Sequence, residues 1–129
     1  MADRYERMLH TMRVDLTVLY AQLALICHRL PIPVELPTQE GVHLLDDMTP
    51  AVRRLVEIVR DMPMDEDTQS GVFMASIDWL TAVDLWVLMG INEPDDTREM
   101  CFAGAITSAH RGLALLLEEG DAEYNGDIE

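Results

Sequence analysis

The sequence contains no lysine, so all nine of its basic residues are arginine. Asparagine is scarce as well, and because both residues use A-rich codons, a GC-rich genome explains the two shortages together; avoidance of lysine modification is the alternative explanation. The arginines are outnumbered by 24 Asp and Glu, which gives a formal net charge of -15 at pH 7. A protein this acidic repels nucleic acids and anionic membranes and attracts basic surfaces. We therefore expect a basic protein partner and no direct contact with nucleic acid or membrane.

Motifs of catalysis and metal binding are also missing from the sequence. There is no Gly-rich phosphate loop and no Gly-x-Ser-x-Gly nucleophile motif. Glu40 and His43 have the Glu-x-x-His spacing of di-iron bundles, but such a site needs that motif twice. Cys27 and His28 are adjacent, and adjacent side chains diverge by about 100° on a helix, which is not a chelating arrangement. We predict no catalytic residues, no metal site and no cofactor, and hence a protein that is not an enzyme.

A leader segment, a membrane span and a disulfide framework are not indicated either. The N-terminus is charged, and no small-residue cleavage site follows its first apolar stretch. The longest uncharged run, residues 16–27, is too short to cross a bilayer. Cys27 and Cys101 each lie in an apolar helical pattern, which predicts reduced, buried thiols, with a single disulfide between them as the alternative. The expected location is the cytoplasm.

Apolar residues make up 49% of the 129-residue chain, enough for one folded domain. The clearest pattern lies in residues 3–30, where apolar residues alternate three and four apart as in a coiled-coil seam. That seam consists of Tyr5, Leu9, Met12, Leu16, Leu19, Leu23, Ile26 and Leu30. Val14, Val18 and Leu25 form a second stripe on another side of the same helix. A helix that is apolar on two sides is either central in a bundle or shared with a second copy, and we expect a homodimer through this helix.

The rest of the chain reads as further helices joined by connectors. Residues 31–37 hold three prolines and predict a stiff, extended connector, and the segment that follows it has room for one short helical turn. Thr49, as a hydroxyl cap before a proline, predicts a second helix that Pro63 ends. The third helix is predicted over 68–90 and the fourth from about 95 to 119.

No segment shows the alternating pattern of a β-strand, so the predicted fold is all-α. We expect a small up-and-down bundle of about four main helices with a Pro-rich connector after the first helix. The predicted domain organisation is a single helical domain over 1–119 and an acidic C-terminal tail over 120–129. Asp84 stands one heptad after Ile77, where an apolar residue is expected. We predict that it forms an internal or subunit-bridging pair with an arginine such as Arg13; the alternative is that it faces a groove that a partner fills.

The carboxylates concentrate in two segments. The first surrounds the connection between the second and third helices and contains Asp61, Asp65, Glu66 and Asp67. The second ends the chain and contains Glu118, Glu119, Asp121 and Glu123, followed by Asp127 and Glu129. In an up-and-down bundle both segments fall at the same end of the molecule. The predicted partner-binding site consists of the four residues of the first segment together with Glu118, Glu119, Asp121 and Glu123. We expect this surface to hold no basic residue.

Two functional hypotheses follow, both of a non-enzymatic interaction protein. The first is an acidic inhibitor or regulator that binds and blocks a basic, nucleic-acid-binding protein by imitating the charge of DNA. The alternative is a chaperone, adaptor or immunity protein that grips its partner through an apolar helical groove. Trp79 and Trp86, two turns apart on one helix face, would then bind the partner unless they are core residues. The chain resembles such small, acidic, all-helical proteins only in size, charge and helicity.

Overall fold

The computed structural model describes the backbone of residues 2–128 and the side chains of residues 4–118. Four α-helices follow one another along the chain, and no strand occurs within the described backbone. They are α1 (Ala2–His28), α2 (Thr49–Asp61), α3 (Glu66–Ile91) and α4 (Asp96–Ile128). A five-residue π-helical turn, Leu44–Met48, precedes α2. The prediction of an all-α bundle of about four main helices is confirmed.

The coiled-coil seam of α1 supplies one side of the core. Its central members, Met12, Leu16, Leu19, Leu23 and Ile26, are all buried, and α1 packs mainly against α3 and α4. These residues can all face the core because a spacing of three and four residues keeps their side chains on one face of the helix. Burial of this row removes a large apolar area from water, which is the main favourable contribution to folding.

The Pro-rich connector folds back along α1. The backbone N–H of Val34 donates to the carbonyl oxygen of Cys27 at 3.0 Å, and the Tyr20 hydroxyl donates to the carbonyl oxygen of Pro37 at 2.7 Å. Leu36, between these two attachments, is buried. Burial raises the pKa of Tyr20 to about 12, and the nearby Cys27 and Asp47 act in the same direction.

The start of α2 differs from the prediction. Thr49 was expected to cap the helix, but its hydroxyl donates instead to the carbonyl oxygen of Leu44 at 2.8 Å, inside a helix that has already begun. The Thr49 backbone N–H also donates to Leu44, over the wider spacing of a π-turn. Pro50 has no N–H to donate and lies in the first turn of α2, where a helix requires none. The predicted cap is wrong, whereas the short helical turn before α2 is present.

The last helix is longer than predicted. It begins where expected, and Asp95 caps its start, because Asp95 Oδ1 accepts the backbone N–H groups of Thr97 and Arg98 at 2.9 and 3.3 Å. Its end is not near Glu119, because α4 continues to Ile128. A glycine inside a helix costs only about 1 kcal/mol relative to alanine, so Gly120 does not by itself stop a helix. The predicted tail therefore has a helical backbone up to Ile128.

Two segments meet the length and composition of a membrane span, Glu66–Ile91 and Asp96–Glu118. In the best window of each, 39% and 22% of the residues are buried within the bundle. The core helix of a soluble protein passes the same test, so this is weak evidence about location. The expected cytoplasmic location stays a prediction.

Candidate functional site

The connection between α2 and α3 is held in place by side-chain hydrogen bonds. Asp65 caps α3: its Oδ2 accepts the Thr68 backbone N–H at 3.2 Å and the Thr68 hydroxyl at 3.4 Å. The Gln69 side-chain amide reaches back to α2 and donates to the carbonyl oxygens of Val59 and Arg60 at 2.7 and 3.1 Å. These carbonyls lie in the last turn of α2, which has no following turn of helix to donate to them, and the Val59 oxygen also accepts the Met62 backbone N–H at 3.3 Å. The two helix ends are thus fixed relative to each other.

Four carboxylates are displayed on this fixed connection. Asp61, Asp65, Glu66 and Asp67 are all exposed. Asp65, Glu66 and Asp67 stand at the N-terminus of α3, where the helix dipole stabilises negative charge. This attraction offsets part of the mutual repulsion among carboxylates that are crowded at the start of the helix.

α4 brings a further carboxylate to the same end. Leu116 packs against Gly71 in the second turn of α3, so closely that a β-carbon at Gly71 would lie 2.9 Å from Leu116 Cδ1. Glu118, two residues further along α4, is exposed. We call Asp61, Asp65, Glu66, Asp67 and Glu118 the acidic end of the bundle. The side chains of the remaining predicted site residues, Glu119, Asp121 and Glu123, lie outside the described residues.

Within the part of this surface that the structure describes there is a base, Arg60, contrary to the prediction that it would hold none. Arg60 is exposed, directly precedes Asp61, and its carbonyl oxygen accepts from Gln69. Arg60 lies on the outer face of α2, and because α2 ends at Asp61, both residues stand at the same end of the helix. Among the described side chains, the five carboxylates of the acidic end outnumber the guanidinium of Arg60 beside them, so this surface remains strongly negative.

The sequence pattern did not predict a second group of carboxylates, which lies beside the connector. Glu35, Glu40, Asp46 and Asp47 line an open cleft of about 460 Å³ between the connector and α2, together with Arg54. Asp47 Oδ2 accepts the backbone N–H of His43 at 2.7 Å, so one of the four is already engaged. These four carboxylates are scattered over the thirteen positions from 35 to 47, and only the return of the connector along α1 gathers them.

The tryptophan pair does not form a surface stripe. Trp79 is completely buried, and its indole Nε1 donates to the carbonyl oxygen of Leu16 at 2.9 Å. Its ring lies 5.7 Å from that of Tyr20 at an angle of 46°, a tilted aromatic contact. Trp86 is partly buried, and its Nε1 donates to the carbonyl oxygen of Leu9 at 3.0 Å. The two residues join α3 to α1, so the structure favours the core interpretation over the partner-binding one.

Asp84 and one of the two cysteines differ in part from expectation. Asp84 is exposed and forms no ion pair within the described part of the chain, so it does not pair with Arg13 of the same chain. A pair across a subunit contact, or a groove that a partner fills, stays a prediction. Both thiols are free, but only Cys27 is buried, and Cys101 is exposed. Burial, with a smaller contribution from Glu35, raises the pKa of Cys27 to about 12. An apolar helical pattern identifies a helix but does not say which neighbour covers a given position.

Within residues 4–118, no group of three or more His, Cys, Asp and Glu side chains is arranged to hold a metal ion. His28 Nδ1 instead lies 2.5 Å from Glu35 Oε1, an exposed contact between the end of α1 and the connector.

The sequence matches no protein-family model, and neither the curated proteins nor the solved structures contain a significant match. The residues themselves are therefore the basis for a function.

Proposed function

We propose that this protein acts without catalysis, as an acidic inhibitor or regulator that binds a basic, nucleic-acid-binding protein and blocks its charged surface. The observation that carries the proposal is the acidic end. Its carboxylates are exposed, and those of the α2–α3 connection stand on a backbone held by Gln69 and Asp65. A fixed row of negative charges can replace the phosphates that a basic surface normally binds.

The physical basis is long-range attraction followed by competition. A net charge of -15 accelerates the approach of a basic partner, and a fixed array of charges loses little conformational entropy on binding. Nucleic acid and this protein would then compete for one surface of the partner. Because exposed charges are screened beyond about 10 Å at 0.1 M salt, the complex should weaken steeply as salt rises.

The test is capture of partners from a lysate of the source organism on the immobilised full chain. Parallel samples are washed in low salt and in about 1 M NaCl, and bound proteins are identified by mass spectrometry. The proposal expects a basic nucleic-acid-binding protein that is lost at high salt and that cannot bind this chain and its nucleic acid together. A partner retained unchanged at high salt would contradict it.

A second candidate is an adaptor or chaperone that binds its partner through an apolar surface. It is favoured by the apolar segment Asp96–Glu118 of α4, in whose most apolar window 22% of the residues are buried, and by Met100 and Leu115, which are 74% and 61% exposed. Its site cannot be Trp79, which is buried. In the same capture experiment it predicts a partner that survives the high-salt wash and is lost when Met100 and Leu115 are changed to serine.

A further inference from the structure

The second apolar stripe of α1 is left uncovered in the folded chain. Val14, Val18 and Leu25 are 45%, 48% and 43% exposed, on the side of α1 that faces away from α3 and α4. Together with the exposed Thr11 and Ala21 they alternate three and four residues apart. That is the spacing of a coiled-coil seam, and it runs parallel to the buried seam on the same helix.

The charge distribution identifies what can cover this stripe. Residues 1–30 contain four arginines and three carboxylates, whereas residues 31–129 contain five arginines and 21 carboxylates. The whole excess of negative charge therefore lies outside the first helix. Two copies of a chain with net charge -15 repel each other over most of their surface, and α1 is where that repulsion is least.

The stripe itself is suited to self-association. Between residues 14 and 27 only Asp15 is charged, so two such helices can approach without burying several charges. A basic partner would be drawn to the carboxylates elsewhere on the molecule rather than to this neutral face. A contact between identical faces also closes as a two-fold dimer, which leaves both acidic ends free.

We propose that the stripe Thr11, Val14, Val18, Ala21 and Leu25 of α1 is the interface of a homodimer in solution, in which the same face of a second copy covers it. α1 is 27 residues long, or about 40 Å, so a seam along it offers a contact of several helical turns. This inference does not rest on the proposed function, because the acidic end lies on other helices and plays no part in the contact.

The experiment is sedimentation equilibrium of the full chain at about 100 μM in about 0.15 M and about 0.5 M NaCl, where added salt screens the general repulsion. The wild type is expected at twice the 14.6-kDa chain mass. Val18→Glu places a like charge on both copies at the centre of the seam and should raise the dimer dissociation constant at least tenfold. Met74→Glu, a change of the same kind at an exposed methionine on α3, should leave the dimer intact.

Circular dichroism checks that both variants fold, which is expected since Val18 and Met74 are about half exposed. In a Cys101→Ser background, Val18→Cys should form a disulfide-linked dimer under mild oxidation and Met74→Cys should not. A wild-type chain that is monomeric at both salt concentrations would overturn the inference. So would a Val18→Glu variant that dimerises as strongly as the wild type.

Discussion

Leu116 packs against Gly71, and this contact sets the position of the C-terminal part of α4 on α3. A β-carbon at Gly71 would lie 2.9 Å from Leu116 Cδ1 and 3.3 Å from its Cγ, so the absence of a side chain is what admits the leucine. The contact lies one turn and a half from Glu66 along α3 and two residues from Glu118 along α4. It therefore brings carboxylates of two helices to one end of the bundle.

Alanine substitutions at two glycines should have different effects on stability. Replacing glycine by alanine in a helix interior contributes up to about 1 kcal/mol through helix propensity. At Gly104 an added β-carbon meets nothing within 4 Å, so Gly104→Ala should raise the free energy of unfolding by most of that amount. Gly71→Ala must displace Leu116 and should show a smaller gain or a loss. Urea unfolding measures both, and equal gains would show that Leu116 does not pack against Gly71 as described.

Trp79→Ala should destabilise the protein strongly. The substitution removes a completely buried side chain and its hydrogen bond to Leu16, and truncations of this kind lower the free energy of unfolding by about 3–5 kcal/mol. Met74→Ala on the same helix removes an exposed side chain and should change it by less than about 0.5 kcal/mol. Unfolding in urea followed by circular dichroism compares the two. A Trp79→Ala variant as stable as the wild type would contradict the burial of Trp79 in the core.

The two thiols should differ sharply in reactivity. Only the thiolate is nucleophilic, and Cys27 is both buried and held protonated by its raised pKa of about 12. Cys101 is exposed. The native protein should therefore react with one equivalent of a thiol reagent such as Ellman's reagent at pH 8, and with two after unfolding. Cys101→Ser should abolish the native reaction, whereas Cys27→Ser should not; the reverse pattern would contradict the assigned burial.

Stability should fall as the solution becomes strongly alkaline, and Cys27 should contribute to the fall. Burial raises its pKa from the ordinary value of 9.0 to about 12, so between these two pH values the unfolded thiol loses its proton while the folded thiol keeps it. Unfolding then releases a proton, and the free energy of unfolding decreases with rising pH by up to about 1.4 kcal/mol per pH unit. Below pH 9 the thiol is protonated in both states, so the full stabilisation that its raised pKa gives to the folded state is present.

The matched variant for this experiment is Cys27→Ala, which removes the titrating group. Its stability at pH 8 is lower because a small cavity is created, but its decline from pH 9 to pH 11 should be shallower than that of the wild type. Tyr20, whose pKa is also raised to about 12, is present in both proteins, so the stability of both should still decline in part as the pH rises. Identical slopes in the two proteins would show that Cys27 is not held protonated by burial.

The fold was predictable because periodicity and helix-start signals are local. The apolar spacing that predicts α1 lies within α1 itself. Asp65 and Asp95 each accept a backbone N–H three residues further along, in the first turn of the helix that they cap. The exposure of Cys101 and the burial of Trp79 depend on which helix covers a given face, and a single sequence does not contain that information. The Thr49 cap failed for a related reason, since a π-turn upstream had already started the helix.

The candidate site was predictable in part. Four carboxylates close together in the sequence necessarily lie close together in the fold, and the up-and-down topology placed Glu118 beside them. Arg60 was overlooked because the site was drawn from acidic residues alone. The carboxylates of the cleft, from Glu35 to Asp47, were missed because they meet only when the connector returns along α1 through the hydrogen bond of Tyr20 to Pro37.

The most direct test of the central claim compares two variants of equal charge. The first neutralises the acidic end with Asp61→Asn, Asp65→Asn, Glu66→Gln and Asp67→Asn; asparagine at position 65 can still cap α3. The second changes four exposed carboxylates elsewhere, with Asp84→Asn, Glu93→Gln, Asp96→Asn and Glu99→Gln. Both variants and the wild type are used in the low-salt capture from the lysate, and the amount of basic nucleic-acid-binding protein retained is measured. Our account predicts that only the first variant loses this partner, and equal retention by the two variants would contradict it.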